Sequence, residues 1–224
     1  MGYFYLIKQA DVFVFLDHVQ FERNSWQSRN RVKGPMGPIW LTVPVHHKAA
    51  DSIREVKIDN SQLWSKKHLL TIKTCYGKAP FTDGYLPFFE SLYKSEWASL
   101  VDLNIHVINY LSLQLGLSPV FVRSSELSVD GRRSELVLNI CKALKAEHYL
   151  ATIGAKEYMQ QDGAELLFKK EQMTLEFIEY QAPTYPQLFG EFIPNLSMVD
   201  LLFNCGSEKA QTLLNRGKAS FSSI

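Results

Sequence analysis

Seven strongly polar side chains, Asp17, His18, Gln20, Arg23, Asn24, Arg29 and Arg31, fall within fifteen residues that directly follow an apolar run, Val12-Phe13-Val14-Phe15-Leu16. A smaller cluster, Arg123-Ser124-Ser125-Glu126, follows a second short apolar run, Val120-Phe121-Val122. These residue types suit recognition of an anion and movement of a proton. Arg29 and Arg123 each carry a planar fork of donors that fits a carboxylate or phosphate bidentately. Asp17, Glu126 or His68 has the chemistry of a general base. Ser124 and Ser125 have hydroxyls to donate to an oxyanion or phosphate. Gln20, Asn30, Arg31 and Gln187 complete the expected substrate contacts. Lys67 and His68 share helical spacing with Trp64, so an ammonium, an imidazole and an indole could hold an anionic substrate together. Each group also has a plainer reading: a solvated loop after a core strand, a helix N-cap at Ser125 or Ser128, an ordinary helix surface at 64–68.

Other chemistries leave no mark. There is no HExxH, GxSxG or Walker A pattern, and no zinc-ligand spacing. The single Gly154 after an expected strand is far short of a GxGxxG turn. His46 and His47 would point to opposite faces of an extended chain and make a poor metal pair. Cys75, Cys141 and Cys205 lie far apart among apolar residues and read as core thiols.

The elements that must position these groups are legible from period and punctuation. A helix is expected over 1–10, and a fully buried strand over 12–16. The polar segment that follows reads as a loop, and 33–38 as a turn. Strands are expected over 39–45, with Pro44 marking an edge or bulge, and over 53–58. Helices are expected over 62–76, 83–94 and 96–115, then a strand over 120–122, a helix over 131–145 and a strand over 148–151. A helix over 157–168, an edge strand over 173–180, a rigid Pro-containing loop over 181–187 and a helix over 197–203 follow. The polar tail from 207 is expected to fray. Strand–loop–helix–strand order predicts an α/β fold: a mainly parallel, Rossmann-like sheet in one domain, with a helical insertion over 60–116. Both polar clusters would then open at the carboxyl edge of the sheet, where such folds bind ligands.

The totals bound the class. The chain has 224 residues and a net charge of +1, so no global field draws it to nucleic acid or to a membrane surface. No apolar segment approaches the roughly 20 residues of a membrane span. Three scattered cysteines and the absence of a signal-peptide pattern point to a reducing, cytoplasmic setting.

Five segments together resemble the WbqC-like family along nearly the whole chain: GYFYLIKQADVFVFLDHVQFERNSWQSRNRV at 2–32, PIWLTVPV at 38–45, IDNSQLWSKKHLLTIKTCYGKAPF at 58–81, VRSSEL at 122–127 and YPQLFGEFIPNLSMVDLLFNCG at 185–206. That family is associated with bacterial surface-polysaccharide gene clusters, and the resemblance implies a role in modifying amino sugars. Two departures stand out. Family members usually carry a strand and an IHQPxYxPW segment before the GYF, where this sequence has only Met1, which leads to the expectation of a truncated start or a partly lost site. Members also tend to have Ser-Gly after a Tyr-Leu pair, where this chain has Ala151-Thr152 after Tyr149-Leu150. The family's usual opening also resembles, at fold level only, the HxGH turn of nucleotidyltransferases; Gly2 and Tyr3 would fall at its last Gly-His pair, and a tyrosine cannot replace that histidine as a cation.

The resulting expectation is a transferase acting on a nucleotide-linked amino sugar, by acyl or aminoacyl transfer, with a small-molecule substrate, no nucleic acid, no implied metal and an unassigned cofactor. The alternatives are a non-catalytic protein that binds a nucleotide-sugar or a partner, and a nucleotidyltransferase-like enzyme.

Overall fold

In the computed structural model, which describes residues 1–223, the chain runs α1 (Gly2–Gln9), β1 (Val12–Phe15), β2 (Arg29–Gly34), β3 (Gly37–Thr42), β4 (Val45–His46), a 3-10 turn (Ile53–Glu55) and β5 (Lys57–Ile58). Three helices follow: α2 (Trp64–Tyr76), α3 (Thr82–Lys94) and α4 (Leu100–Gln114). Then come β6 (Val120–Arg123), a 3-10 turn (Ser124–Glu126), α5 (Arg133–Ala143), β7 (His148–Thr152), α6 (Lys156–Gln161), α7 (Ala164–Lys170), β8 (Thr174–Gln181), α8 (Met198–Arg216) and β9 (Lys218–Ser222). The chain divides into two units.

The first unit comprises Asp17–Ser118 and Ala182–Arg216, with Met1. Its centre is the antiparallel hairpin of β2 and β3, registered from Arg29 opposite Thr42 to Gly34 opposite Gly37. The tight reversal at Pro35-Met36 needs a glycine at Gly37, whose φ is 119°. The outer edge of β2 is closed by side-on partners. The Lys33 backbone N–H donates to the Tyr76 hydroxyl at 3.1 Å, and the Ser197 N–H donates to the Arg31 carbonyl at 2.8 Å. Covering the edge in this way satisfies backbone groups that would otherwise template foreign strands. The apolar faces of α2, α3 and α8 meet at Phe203, whose ring lies 5.0 Å from that of Tyr76, 5.7 Å from Tyr85 and 5.8 Å from Phe89. Halfway along, α8 kinks at Gly206, where φ is 72° and ψ 171°.

The second unit comprises Gly2–Leu16, Pro119–Gln181 and 217–223. Here β1 and β6 pair in parallel, with Phe15 opposite Arg123. A separate three-stranded sheet has the order β7-β8-β9, parallel at β7–β8 and antiparallel at β8–β9. Its core gathers Val137, Leu138, Cys141, Ala151, Met159, Phe168 and Phe177.

The fold is mixed α/β, but the mainly parallel Rossmann-like sheet does not form. Among the described residues, parallel pairing is confined to β1–β6 and β7–β8, and the strands fall into four separate sheets of two or three strands. Several local expectations change with it. Residues 29–34, read as the end of a loop and the start of a turn, form β2, because tertiary partners satisfy a strand whose side chains are mostly polar. The strand expected over 39–45 stops at Thr42, and only Val45-His46 continue, as a separate short strand after Pro44. Of the strand expected over 53–58 only Lys57-Ile58 form one, β5, while Ile53–Glu55 make a 3-10 turn capped reciprocally by Ser52 and Glu55. The helix over 157–168 breaks at Gly163, left-handed at φ 67°. The 173–180 strand is central in its sheet, not an edge, because β9 pairs along its other side. That partner comes from the tail expected to fray: 207–216 instead completes α8, and 218–222 forms β9.

Candidate functional site

Strand alternation puts Arg29, Arg31 and Lys33 on one face of β2. Their opposite numbers on β3 are Thr42, Trp40 and Pro38. The Arg29 guanidinium lies 4.4 Å from the centre of the Trp40 ring. Arg31 lies 5.4 Å from Trp40 and 5.6 Å from Trp26. The two indoles sit 5.3 Å apart at a tilt of 42°. Trp26 remains 61% exposed and Trp40 44%. Such contacts attract a cation to the negative face of the ring and hold the guanidinium planes in place. Trp26 itself is held by a braced loop: the Ser25 hydroxyl donates to the Glu22 carbonyl, the Gln27 side chain accepts from the Glu22 N–H, and Asn104 of α4 donates to the Gln27 carbonyl.

One end of this face runs into the interior. Lys33 is 2% exposed, and its ammonium donates to the Glu191 carbonyl. Arg31 donates through a terminal nitrogen to the Asn195 carbonyl at 3.2 Å, while its buried Nε has no hydrogen-bond partner. Behind Lys33 lies Asp200, in the first turn of α8 and fully buried. Tyr76 and Tyr185 each donate a hydroxyl hydrogen to it, at 2.8 Å to Oδ1 and 2.8 Å to Oδ2. Burial pushes the Asp200 carboxyl up from its ordinary range, against the pull of the two hydroxyls and the Lys33 charge. Burial and the adjacent Asp200 charge push both tyrosines well above the usual phenol value. Burial likewise raises the Cys75 and Cys205 thiols, which leaves them protonated and inert.

The sequence-derived residues distribute between the two units. Asp17, Gln20, Arg29, Asn30, Arg31, Lys67, His68 and Gln187 belong to the first; Arg123, Ser124, Ser125 and Glu126 belong to the second. The hairpin gathers Arg29 and Arg31 on one face, and Asn30, exposed, points to the other. His68 is tied to the same hairpin through the Thr42 carbonyl, 3.1 Å from its Nε2, opposite Arg29 in register. Its ring is packed edge-on against Trp64 and Tyr93, and burial lowers its pKa to about 4. Trp64 and His68 therefore turn inward while Lys67 stays at the surface, so the three do not make one anion-holding surface. Asp17 is buried, and its carbonyl accepts from the Arg54 N–H. Gln20 reaches the Ala49 carbonyl at 2.7 Å. Gln187 braces its own loop, donating to the Ile193 carbonyl and accepting from the Ile193 N–H. In the second unit Arg123 ends β6, and Ser124, Ser125 and Glu126 form the turn beyond it; Ser124 is buried and Glu126 exposed. Among the described residues no group of three or more His, Cys, Asp or Glu side chains is placed to hold a metal ion. Nor is any helix long and apolar enough to cross a membrane.

Sequence reasoning missed Trp26, Trp40, Lys33, Tyr76, Tyr185 and Asp200. The period-two spacing of Arg29, Arg31 and Lys33 was a usable signal for Lys33, and with the turn at 35–36 for Trp40, which pairs with Arg31; Trp26 lies in the loop before β2 and carries no such signal. Nothing local links Tyr76 to Asp200, which are 124 residues apart.

The WbqC-like protein family matches residues 1–212 of the chain. The uncharacterized protein Rv1507c of Mycobacterium tuberculosis is 31% identical over 211 residues, which cover 92% of this chain and 89% of that protein. No solved structure matches.

Proposed function

The chain belongs to the WbqC-like protein family, and on that premise we propose that it binds a nucleotide-linked amino sugar at the Trp26–Arg29–Arg31–Trp40 face and acylates that sugar for a bacterial surface polysaccharide. One observation supports this reading above the others: two guanidinium groups held against two exposed indoles. The guanidinium forks suit phosphate oxygens, and the open indole surface suits the flat face of a base or the C–H face of a sugar.

In the transfer, the sugar's amine nitrogen attacks the carbonyl of an activated acyl or aminoacyl donor. The donor's leaving group departs with its bonding pair, and a base removes the ammonium proton. Within the first unit His68, neutral above pH 4 and tied to Thr42, is a weak base and acts by orienting; Asp17 is the carboxylate proposed for the proton. In the second unit, taken by itself, Arg123, Ser124 and Ser125 are proposed as a separate anion-binding turn at the carboxyl end of β6, with Glu126 as its candidate base.

A thermal-shift series with nucleotide-amino sugars, the free nucleotides and the free sugars tests the reading, since a ligand of the native state raises Tm by mass action. The nucleotide-amino sugar should give the largest shift, and R29A/R31A should remove it. Absence of a shift in the unaltered chain would sink the reading. A shift without acyl transfer in the presence of thioester donors would favour a binding protein over a transferase.

A further inference from the structure

Lys33 continues the row begun by Arg29 and Arg31, yet main chain hides it. The segment 189–195 lies over the inner end of the row and contacts it through backbone carbonyls: Glu191 accepts from the Lys33 ammonium, and Asn195 accepts from Arg31. Both acceptors are neutral. The segment is pinned at its two flanks. Before it, Tyr185 donates to Asp200 and the Leu188 N–H donates to Asn204; after it, the Ser197 N–H donates to the Arg31 carbonyl. Between the pins the backbone is left-handed three times, at Phe189 (φ 63°), Gly190 (φ 61°) and Asn195 (φ 58°). Phenylalanine is rarely left-handed, so this conformation is held at a cost. Beneath the segment, Arg31 Nε is buried without a partner.

We propose that Lys33 is the third cation of the anion site, covered by 189–195 in the free chain, and that the ligand it selects carries a diphosphate. The proposal rests on the reading of this face as a phosphate-binding one. Phosphate oxygens are charged acceptors and make stronger bonds to Arg and Lys than a neutral carbonyl does. A group that spans from Arg29 past Arg31 displaces the Asn195 and Glu191 carbonyls and satisfies Arg31 Nε. A single phosphate or carboxylate engages Arg29 and the exposed part of Arg31 without uncovering Lys33. The segment is also tied inside by the two bonds between Gln187 and the Ile193 backbone; a shift of 189–195 breaks these and leaves the Tyr185 and Ser197 bonds at the flanks in place.

The test uses inorganic pyrophosphate and inorganic phosphate with the full chain, and reads affinity together with hydrogen exchange of 189–195. Pyrophosphate should bind roughly tenfold more tightly, the factor that corresponds to about 1.4 kcal/mol. It should also speed exchange in 189–195, whereas phosphate should not. Lys33→Met should bring the two affinities together while leaving phosphate binding unchanged, and Lys33→Arg should keep part of the preference. Equal affinities in the unaltered chain, a preference that survives Lys33→Met, or unchanged exchange at saturating pyrophosphate would each overturn the proposal. The exchange measurement needs no variant and decides even where Lys33→Met fails to fold. Loss of binding in R29A with the preference intact in Lys33→Met removes only the role of Lys33. Absence of binding by both anions and by nucleotide-sugars removes the phosphate reading as well.

Discussion

The Tyr76 hydroxyl donates to Oδ1 of Asp200 at 2.8 Å and accepts the backbone N–H of Lys33 at 3.1 Å. One phenol thus joins α2, the edge of β2 and the first turn of α8. It does so where all three residues are out of water.

Removing that hydroxyl leaves two buried groups without partners, a carboxylate oxygen and a backbone N–H. Each such loss costs about 1–3 kcal/mol. Tyr76→Phe should therefore destabilise the chain by about 2–4 kcal/mol in urea unfolding. Tyr185→Phe strips one bond from the same carboxylate and should cost about 1–2 kcal/mol. The double variant should depart from additivity, because both hydroxyls serve the two oxygens of one carboxylate. A smaller cost for Tyr76→Phe than for Tyr185→Phe would contradict the bridging role.

His68 and Asp200 make opposite pH dependences. Burial lowers the His68 pKa from 6.5 to about 4. Between those values the unfolded chain binds a proton that the folded chain refuses. Stability from this group is complete above pH 6.5 and is lost as pH falls towards 4, by about 3 kcal/mol at most. Asp200 is raised, so the folded chain holds its proton longer. Its contribution is complete below the ordinary carboxylate value and is lost as pH rises through the folded value. Urea midpoints measured from pH 4 to 7 should rise less steeply in His68→Gln than in the parent. In Asp200→Asn they should rise more steeply. Parallel profiles for all three proteins would show that neither group titrates as described.

Gly206 carries φ 72° and ψ 171° at the α8 kink, and a Cβ built there would stand 2.6 Å from Phe81 Cε1. That backbone region is open essentially only to glycine, and entering it costs other residues about 1–3 kcal/mol. Gly206→Ala should lower Tm for two reasons, conformation and collision. Adding Phe81→Leu should recover only the collision. Full recovery would mean that the backbone carries no strain.

The sequence by itself determined the family and most of the helices. WbqC-like similarity extends from Met1 to residue 212, and α1 to α5 appear where apolar period and punctuation place them, within a few residues. It also singled out Arg29 and Arg31, which β2 then places on one face, since arginines clustered in fifteen residues are visible without a fold. Tertiary structure decided the rest. A strand's partner lies elsewhere in the chain, so sequence could not say that β8 is central or that the last residues supply β9 beside it. β2 reads as a loop because three of its side chains are cations. It becomes a strand because β3 pairs along one edge while Tyr76 and Ser197 close the other. The same distance effect hid the role of Asp200. An aspartate inside an apolar helix looks anomalous until two tyrosines, 124 residues before it and 15 before it, arrive to donate to its two oxygens. Hydrophobic period reports what one segment wants to bury. Which polar groups a buried charge will meet depends on how distant segments pack.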